Sequence, residues 1–597
     1  MMIRFRKITA CLLVVSVLLM CACDKTTKHG SGVNKNSEMS KPEHKNSVQT
    51  DPSDPGILPT PTAEPDSGIV DMTMFITMVG KDKNEDNDIK ELIAEKTGVR
   101  VDETWLTGMY AEEAVSVMMA SGELTDFIDG GESNIELYYN GMLVAWDEYL
   151  EKYPNLKEMY TDEEWERFRM DDGHIYWANV FDNQYLRDTT TTHTGQAFWI
   201  QARVLEWAGY PAVETLDQYF DLLESFAEAN PELPDGTPVI PYTCLCDSWR
   251  YFCLENAPMY LDGYPYDGCV IVNVEDGINN PKVVDYNTTA TAENYFRKLN
   301  EEYNKGVIDP DFAVQTYDEY ISKLLTGCVL GMNDQYWDFA YTIKDQFATL
   351  RPASDGSSFS LSEIGCDYIP LGLVSEPGML QQWHTYGSEI DYSSGIAVTT
   401  SCVDPDLAFK FMNDILDQEI HDLRFWGIEG VDYLVDSQGT YYRSQEMMDN
   451  WSLDRYKNAH TCEYSYMPQW RGMSRDGRNC MMPEDQPSIF KEGLSKPVVK
   501  CFEAYGVNNY VEMIGSEYRE HTPWYPLWTW SNSLTDNTPG GLAWDRMGLC
   551  KHEWLPKLVI SNDFDETWEE YMEAYQKCDP QAFLDEAQTE VEKRLST

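Results

Sequence analysis

The sequence predicts an α/β protein. Strand and helix patterns alternate along the first part of the chain, and the composition is that of a globular protein. Residues 71–78 are rich in Met, Phe and β-branched side chains, as buried strands are. Residues 88–96 have a helical pattern that ends at Gly98, a helix-terminating residue. The same order repeats in a strand, a helix and a short buried strand at 99–104, 110–120 and 126–129. Such alternation indicates a parallel sheet with helices on both faces, which binds ligands beyond the carboxyl ends of its strands.

Later segments continue this pattern. Further strands are expected at 197–200, 328–332 and 395–399, and a helix that Thr215 caps should run to about Ala229. The loops at 80–87 and 129–134 follow neighbouring strands of the first sheet. We therefore expect these two loops to share one rim of that sheet.

The amino-terminal segment has the layout of an export signal. Three basic residues precede an uncharged, mostly apolar run at 8–20, which is too short to span a bilayer permanently. Because Cys23 follows a small residue, the segment resembles a bacterial lipoprotein signal peptide, with Cys23 as the lipidated residue and Cys21 as the alternative. An ordinary cleaved signal with incidental cysteines remains a second interpretation. Residues 1–23 are thus assigned as signal peptide, and the polar, apolar-poor segment 24–68 as a disordered tether.

Composition restricts the function classes. A net charge of -56 argues against a nucleic-acid partner, whose phosphates would be repelled, and more weakly against an anionic polymer as ligand. Aromatic residues make up 13% of the chain. Flat rings of this kind stack on the apolar faces of sugars, although core packing will use most of them.

Several segments, taken in order along the chain, resemble bacterial extracellular solute-binding proteins, the receptors of ABC importers, in the branch that binds oligosaccharides. The segments are DFIDGG, AWDEYLEKYPNL, DGHIYW, FWIQARVLEWAGYPAVETLDQYFDLLESF, YNKGVIDPDFAVQTYDEYISKLLTGCVLGM, SGIAVTTSCVDPDLAFKFMNDIL and WGIEGVDYLVD. The resemblance implies a two-lobed periplasmic-binding-protein-like fold with hinge-crossing segments and a ligand cleft. It places lobe one at 69–180 plus 320–395 and lobe two at 181–319 plus 396–597.

The resemblance also implies partners: an oligosaccharide ligand, ABC permease subunits in the membrane, and a lipid anchor on the extracytoplasmic face of the cell membrane. The receptor is expected to be a monomer and not an enzyme.

Candidate ligand-binding residues are aromatic rings that stand next to planar polar groups at predicted strand ends, since sugars offer both apolar faces and hydroxyls. They are Glu132, Asn333, Asp334, Trp337, Trp383 and Trp426. The aromatic cluster at 524–530 either walls a groove or packs the second lobe.

No metal or cofactor is predicted. Residues 230–238 offer too few carboxylates for Ca²⁺, and the alternating oxygen ligands at 82–88 lack the glycine and glutamate of a calcium loop. Cys244, Cys246 and Cys253 do not have a zinc-site spacing. Whether the cysteines pair is left open.

Two other functions fit the same composition. A lipid-anchored glycoside hydrolase would need two carboxylates across a sugar, and 101 acidic residues make chance pairs certain. A peptide-binding or sensory receptor would have the same fold as a sugar importer's receptor.

Overall fold

The computed structural model describes residues 68–596 except 81–86, 182, 266–268, 385–389 and 516–521. The predicted signal peptide, Cys23 and the tether up to residue 67 lie outside the described residues. None of the helices described is long and apolar enough to cross a membrane.

The first sheet has five strands, four of which share a direction. Its strands are β1 (Val70–Val79), β2 (Val99–Leu106), β3 (Phe127–Asp129), β4 (Trp177–Ala178) and β9 (Ile396–Val398). Their spatial order is β2-β1-β3-β9-β4, and β9 runs antiparallel to both of its neighbours. The sheet therefore includes a strand that comes from far along the chain.

The second sheet has four strands and the same design. Its strands are β5 (Gln196–Gln201), β6 (Ile240–Thr243), β7 (Val329–Gln335) and β8 (Tyr368–Leu371). Their order is β8-β5-β7-β6, with β6 parallel to β7 and β5 antiparallel to both β7 and β8. In each sheet, one antiparallel strand thus lies among strands that share a direction.

Helices surround both sheets. Before β5 they are Asp88–Thr97, Ala111–Ser121, Asn134–Tyr139, Asp147–Lys152, Pro154–Lys157 and Asp162–Arg167. Between β5 and β9 they are Ala202–Trp207, Leu216–Ala229, Phe252–Glu255, Ala257–Leu261, Ala290–Lys305, Tyr317–Thr326 and Tyr336–Phe347. After β9 they are Pro405–Asp414, Gln418–Phe425, Gln445–Trp451, Asp454–His460, Pro487–Gly493, Lys496–Tyr505, Tyr510–Ile514, Trp528–Asn532, Pro539–Ile560, Phe564–Gln576 and Pro580–Ser596.

Local signals place several of these helices where the sequence predicts them. Thr215 caps the helix Leu216–Ala229: its side chain accepts a hydrogen bond from the Gln218 amide, and the Gln218 side chain accepts one from the Thr215 amide. This reciprocal pairing satisfies backbone N–H groups that a helix start leaves unpaired. The predicted cap and the predicted end of this helix are confirmed.

Two hydrophobic cores define two lobes. The first lobe is built around the first sheet, with core residues from 72–180 and 390–481. The second lobe is built around the second sheet, with core residues from 197–383 and 498–591. An ion pair between Lys457 and Asp345, 2.8 Å apart, joins helices that pack with different lobes.

The predicted division of the chain between the lobes is wrong in its second half. The sequence places residues 320–395 in lobe one, yet β7 and β8 pair within the second sheet. It places residues from 396 onward in lobe two, yet β9 pairs with β3 and β4, and the packing up to residue 481 belongs to the first core. A strand pattern identifies a strand but not its partner, because pairing depends on distant segments.

Gly395 offers a test of this corrected arrangement. Its φ is +145°, and a Cβ built there would lie 2.1 Å from the carbonyl oxygen of Ala178 in β4. We expect Gly395→Ala to destabilise the protein by several kcal/mol or to prevent folding, since no relaxation of one side chain relieves a backbone clash. Urea unfolding followed by circular dichroism measures the effect.

Gly356→Ala is the matched control, because Gly356 also has a positive φ (+87°) but no atom lies within 4 Å of the point that a Cβ would occupy. It should cost only about 1 kcal/mol. Equal losses in the two variants would contradict the placement of β9 beside β4.

Candidate functional site

The carboxyl end of β3 lies beside β1 in the first lobe. The register pairs Ile76 with Asp129, so the residues that follow both strands leave the same edge of the sheet. At Gly131 the backbone passes so close to β1 that a Cβ would lie 3.1 Å from Thr77 Oγ1. The 129–134 loop therefore lies at this rim as predicted, whereas residues 81–86 of the other loop lie outside the described residues.

Three carboxylates gather at this rim. Asp129 is 7% exposed. Burial, together with the negative charge of Asp391, raises the pKa of Asp129 to about 6. A hydrogen bond from the Gly131 amide (3.2 Å) opposes this rise. The side chain of Glu132 is exposed, yet desolvation by the surrounding protein, followed by the charges of Glu112 and Asp391, raises its pKa. The carboxylates at this rim are thus close enough to affect one another's pKa. We call this rim the first wall.

Tyr466 packs against the core of the first lobe. Its ring contacts Trp105 and Phe181 edge-to-face, at centroid distances of 5.4 and 5.0 Å. Burial raises the pKa of Tyr466, the negative charge of Asp129 raises it further, and the positive charge of Arg250 opposes that rise. Because Asp129 ends a strand of the first lobe and Arg250 follows β6 of the second, charged groups of both lobes act on Tyr466.

The opposite wall is formed by the segment after β6. Ser248 has a φ of +54°, which non-glycine residues seldom adopt, and the next residue, Trp249, is 44% exposed. The Trp249 ring stacks on that of Trp337, with centroids 5.8 Å apart and planes 10° apart. The guanidinium of Arg250 lies over the Trp249 and Tyr317 rings, 4.3 and 3.9 Å from their centroids. The wall thus presents an exposed aromatic surface next to a buried cation.

Of the six predicted ligand-binding residues, Glu132 and Trp337 lie at these walls. Asn333 and Asp334 do not: both are fully buried beneath the second wall. Asn333 accepts a hydrogen bond from Gln196, and Asp334 accepts hydrogen bonds from the Tyr320 hydroxyl (2.6 Å) and the Cys253 thiol (3.2 Å). The prediction that these two side chains contact ligand is therefore not supported by their position.

The remaining predicted rings are core residues. Trp383 is 2% exposed, stacks on Tyr260 and donates to the Leu373 carbonyl (2.7 Å). Trp426 is fully buried and donates to the Cys480 carbonyl (3.1 Å). In the 524–530 cluster, Trp524 is buried in the second core, which matches the packing alternative for that ring.

One group of potential metal ligands occurs among the described residues: Cys253, Asp334 and Asp338. The Cys253 thiol already donates a hydrogen bond to Asp334, and Asp338 accepts a hydrogen bond from Arg250 Nε (2.8 Å). Burial and the charge of Asp338 raise the pKa of Asp334. We interpret the group as a buried polar network that holds Arg250 in place.

Comparison with known proteins adds to this geometry. No family model matches the chain. It is 26% identical over 265 residues to the fructooligosaccharide ABC transporter substrate-binding protein FusA of Streptococcus pneumoniae, covering 42% of this chain and 47% of that protein. It is 22% identical over 404 residues to the polygalacturonan/rhamnogalacturonan-binding protein YtcQ of Bacillus subtilis, covering 66% and 72%. The lipoprotein LipO of Bacillus subtilis is 23% identical over 355 residues, covering 56% and 62%. The matches to FusA and LipO thus span about half and three fifths of those proteins.

Solved structures cover nearly the whole described chain. An HMO-binding ABC-transporter-associated solute-binding protein from Bifidobacterium longum infantis matches with a TM-score of 0.57 at 15% identity, over 88% of this chain and 99% of that one. FusA in complex with kestose matches with a TM-score of 0.58 at 15% identity, over the same shares. The fold is that of the solute-binding proteins. The predicted resemblance and the two-lobed α/β fold class are confirmed.

Trp249, Arg250 and Tyr466 were missed by the sequence analysis. Trp249 and Arg250 satisfy the criterion of a ring next to a planar polar group, but no strand was predicted at 240–243, so their place at a strand end was not recognised. Tyr466 belongs to a stretch without a clear pattern. Only the packing of that stretch onto the first lobe places its ring near Asp129.

The raised pKa of Asp129 gives a stability test. Its carboxyl has an ordinary pKa of 3.8 and a pKa of about 6 in the folded protein, so the folded state binds the proton more tightly. The resulting stabilisation is present below about pH 4 and is lost as the pH rises through 6. We expect Asp129→Asn to be more stable than the native protein by about 2 to 3 kcal/mol at pH 7.5, with the difference vanishing near pH 4.

Urea unfolding of both proteins between pH 4 and 8 measures this difference. Asp171→Asn, at an exposed aspartate, is the control and should show no comparable pH-dependent gap. A pH-independent difference at position 129 would contradict the assignment of a desolvated carboxylate.

Proposed function

We propose that the protein is an extracellular receptor that binds a carbohydrate, in particular an oligosaccharide, and delivers it to an ABC permease without chemical change. The observation that carries the proposal is the Trp249–Trp337 stack, whose Trp249 ring is 44% exposed, together with the carboxylates Asp129 and Glu132 at the strand ends of the other lobe. An aromatic face takes the C–H patches of a sugar ring, and carboxylates accept hydrogen bonds from its hydroxyls. Closure of two lobes would exclude water from such a ligand.

The relatives support this choice of ligand. FusA is named for fructooligosaccharides and YtcQ for polygalacturonan and rhamnogalacturonan, and both are named as binding proteins. Their names give no catalytic activity. A non-enzymatic role in uptake is therefore the function that we assign to this chain.

A separate surface groove is less suited to sugars. It has a volume of about 570 Å³ and is lined by Asp311, Val314, Gln315, Asp318, Glu319, Ser322 and Lys323. This lining contains no aromatic ring. It therefore offers hydrogen bonds but no stacking surface, and we place the ligand at the interlobe walls instead.

Removing the exposed ring tests the proposal. We expect Trp249→Ala to weaken glycan binding by about tenfold or more, because the substitution removes the ring on which a sugar would stack. The buried ion pair between Arg250 and Asp338 should stay intact. Isothermal titration calorimetry against a panel of oligosaccharides that includes kestose measures the affinities.

The control is Trp207→Ala. Trp207 is 48% exposed and packs edge-to-face on Phe226, away from the two walls. It should leave affinity unchanged. If no glycan in the panel binds the native protein, or if both variants bind as tightly as the native protein, the proposed function is wrong.

We also propose that a lipid on Cys23 holds the receptor at the outer face of the cell membrane. The layout of the first 23 residues supports this, as does the name of the relative LipO, a lipoprotein. Lipidation anchors a protein without a transmembrane helix and leaves its folded part in solution.

Cys23→Ser tests the anchor in a bacterial host that processes lipoproteins. We expect the native protein in the membrane fraction, and the variant in the soluble fraction, since it lacks the thiol that accepts the lipid. Cys21→Ser should stay with the membrane. If only the Cys21 variant loses its membrane association, Cys21 and not Cys23 carries the lipid.

A further inference from the structure

The charges at the interlobe walls are unbalanced. In the part of the chain that the structure describes, none of Asp129, Glu132 and Asp391 forms an ion pair with a Lys or Arg side chain. Glu112 adds a fourth negative charge close to Glu132.

Within the described residues, these carboxylates do not converge as a group of metal ligands. The group of potential ligands that converges within the described residues is Cys253, Asp334 and Asp338, at another place. Asp391 accepts hydrogen bonds from Ser393 (amide 2.8 Å) and from the Ser394 hydroxyl. Asp129 accepts one hydrogen bond, from Gly131, and Glu132 accepts none from the described residues. Acceptor capacity on this wall is therefore available to a ligand.

The cation of the opposite wall does not offset this charge. Arg250 is bound to Asp338 at 2.8 Å, and the two side chains are buried to 9% and 1% exposure. Burial lowers the pKa of Arg250, but Asp338 outweighs that effect, and the net shift is upward. Because its charge is already compensated by a buried carboxylate, Arg250 adds little attraction for an anionic ligand.

We propose that Asp129, Glu132 and Asp391 make this receptor select uncharged glycans and reject those that carry uronate groups. The inference rests on the proposed function and narrows it. It does not follow from the relatives, because one is named for fructooligosaccharides and another for polygalacturonan. The physical reason is that a sugar carboxylate brought to this wall meets two or more uncompensated negative charges in a partly desolvated cleft, where screening by water is reduced.

The size of the effect follows from Coulomb's law. Charges within about 8 Å of each other, at the effective dielectric of a protein surface, change an affinity by on the order of tenfold or more. Hydroxyl groups have no such penalty and can donate hydrogen bonds to the same carboxylates.

A matched pair of ligands isolates charge from shape. Trigalacturonate and its methyl ester have the same sugar backbone, and only the acid form is charged. Both are titrated calorimetrically at pH 7.5 and low salt, together with neutral and uronate oligosaccharides of equal length. We expect every glycan that binds the native protein to be uncharged, and the ester to bind at least about tenfold more tightly than the acid whenever either binds.

The double variant Asp129→Asn/Glu132→Gln should reduce the difference in affinity between the ester and the acid. In the native protein, 0.5 M salt should reduce the same difference by screening. Asp171→Asn/Glu232→Gln removes two exposed carboxylates elsewhere and should leave this difference unchanged. Native protein that binds the acid form as tightly as its ester, or any uronate oligomer in preference to its neutral counterpart, overturns this inference alone. Failure to bind any glycan overturns the proposed function, and this inference with it.

Discussion

The antiparallel pairing of β9 within the first sheet is the constraint on which the rest of the structure depends. Ile396 in β9 pairs with Asp129 on one side and Ala178 on the other. The chain must therefore leave the first sheet, build the second and return. In the second sheet, β5 has the equivalent antiparallel position, where the chain first enters that lobe. With a third crossing after residue 481, the chain passes three times between the two lobes.

The same antiparallel direction builds the acidic wall. An antiparallel neighbour begins where a parallel strand ends, so the residues just before β9 lie beside the residues at the end of β3. This geometry brings Asp391 close to Asp129, although 262 positions separate them in the sequence. Neither carboxylate would be near the other if β9 ran parallel to β3.

The second wall depends on a buried polar network. Asp338 accepts a hydrogen bond from Arg250, whose guanidinium lies over Tyr317 on one side and Trp249 on the other. Burying an ion pair costs desolvation energy. The pair therefore fixes the orientation of the Arg250 side chain more than it stabilises the fold. Asp334, predicted to contact ligand, belongs to this supporting layer together with Tyr320 and Cys253.

Local patterns along the chain determined the class of fold, the main strands and the capped helix at Thr215, because alternation, caps and terminating glycines act over a few residues. They also indicated that Glu132 and Trp337 stand at strand ends. They could not decide that β7 and β8 belong with β5, that Asn333 and Asp334 point inward, or that Tyr466 packs against the first lobe. Those facts depend on which distant segments pack together. Neighbouring residues at the end of one strand point to opposite faces of the sheet, and their exposure depends on which segment covers each face. The order of strand and helix is thus a property of the sequence, whereas the two walls and their charge exist only after the chain has crossed between the lobes.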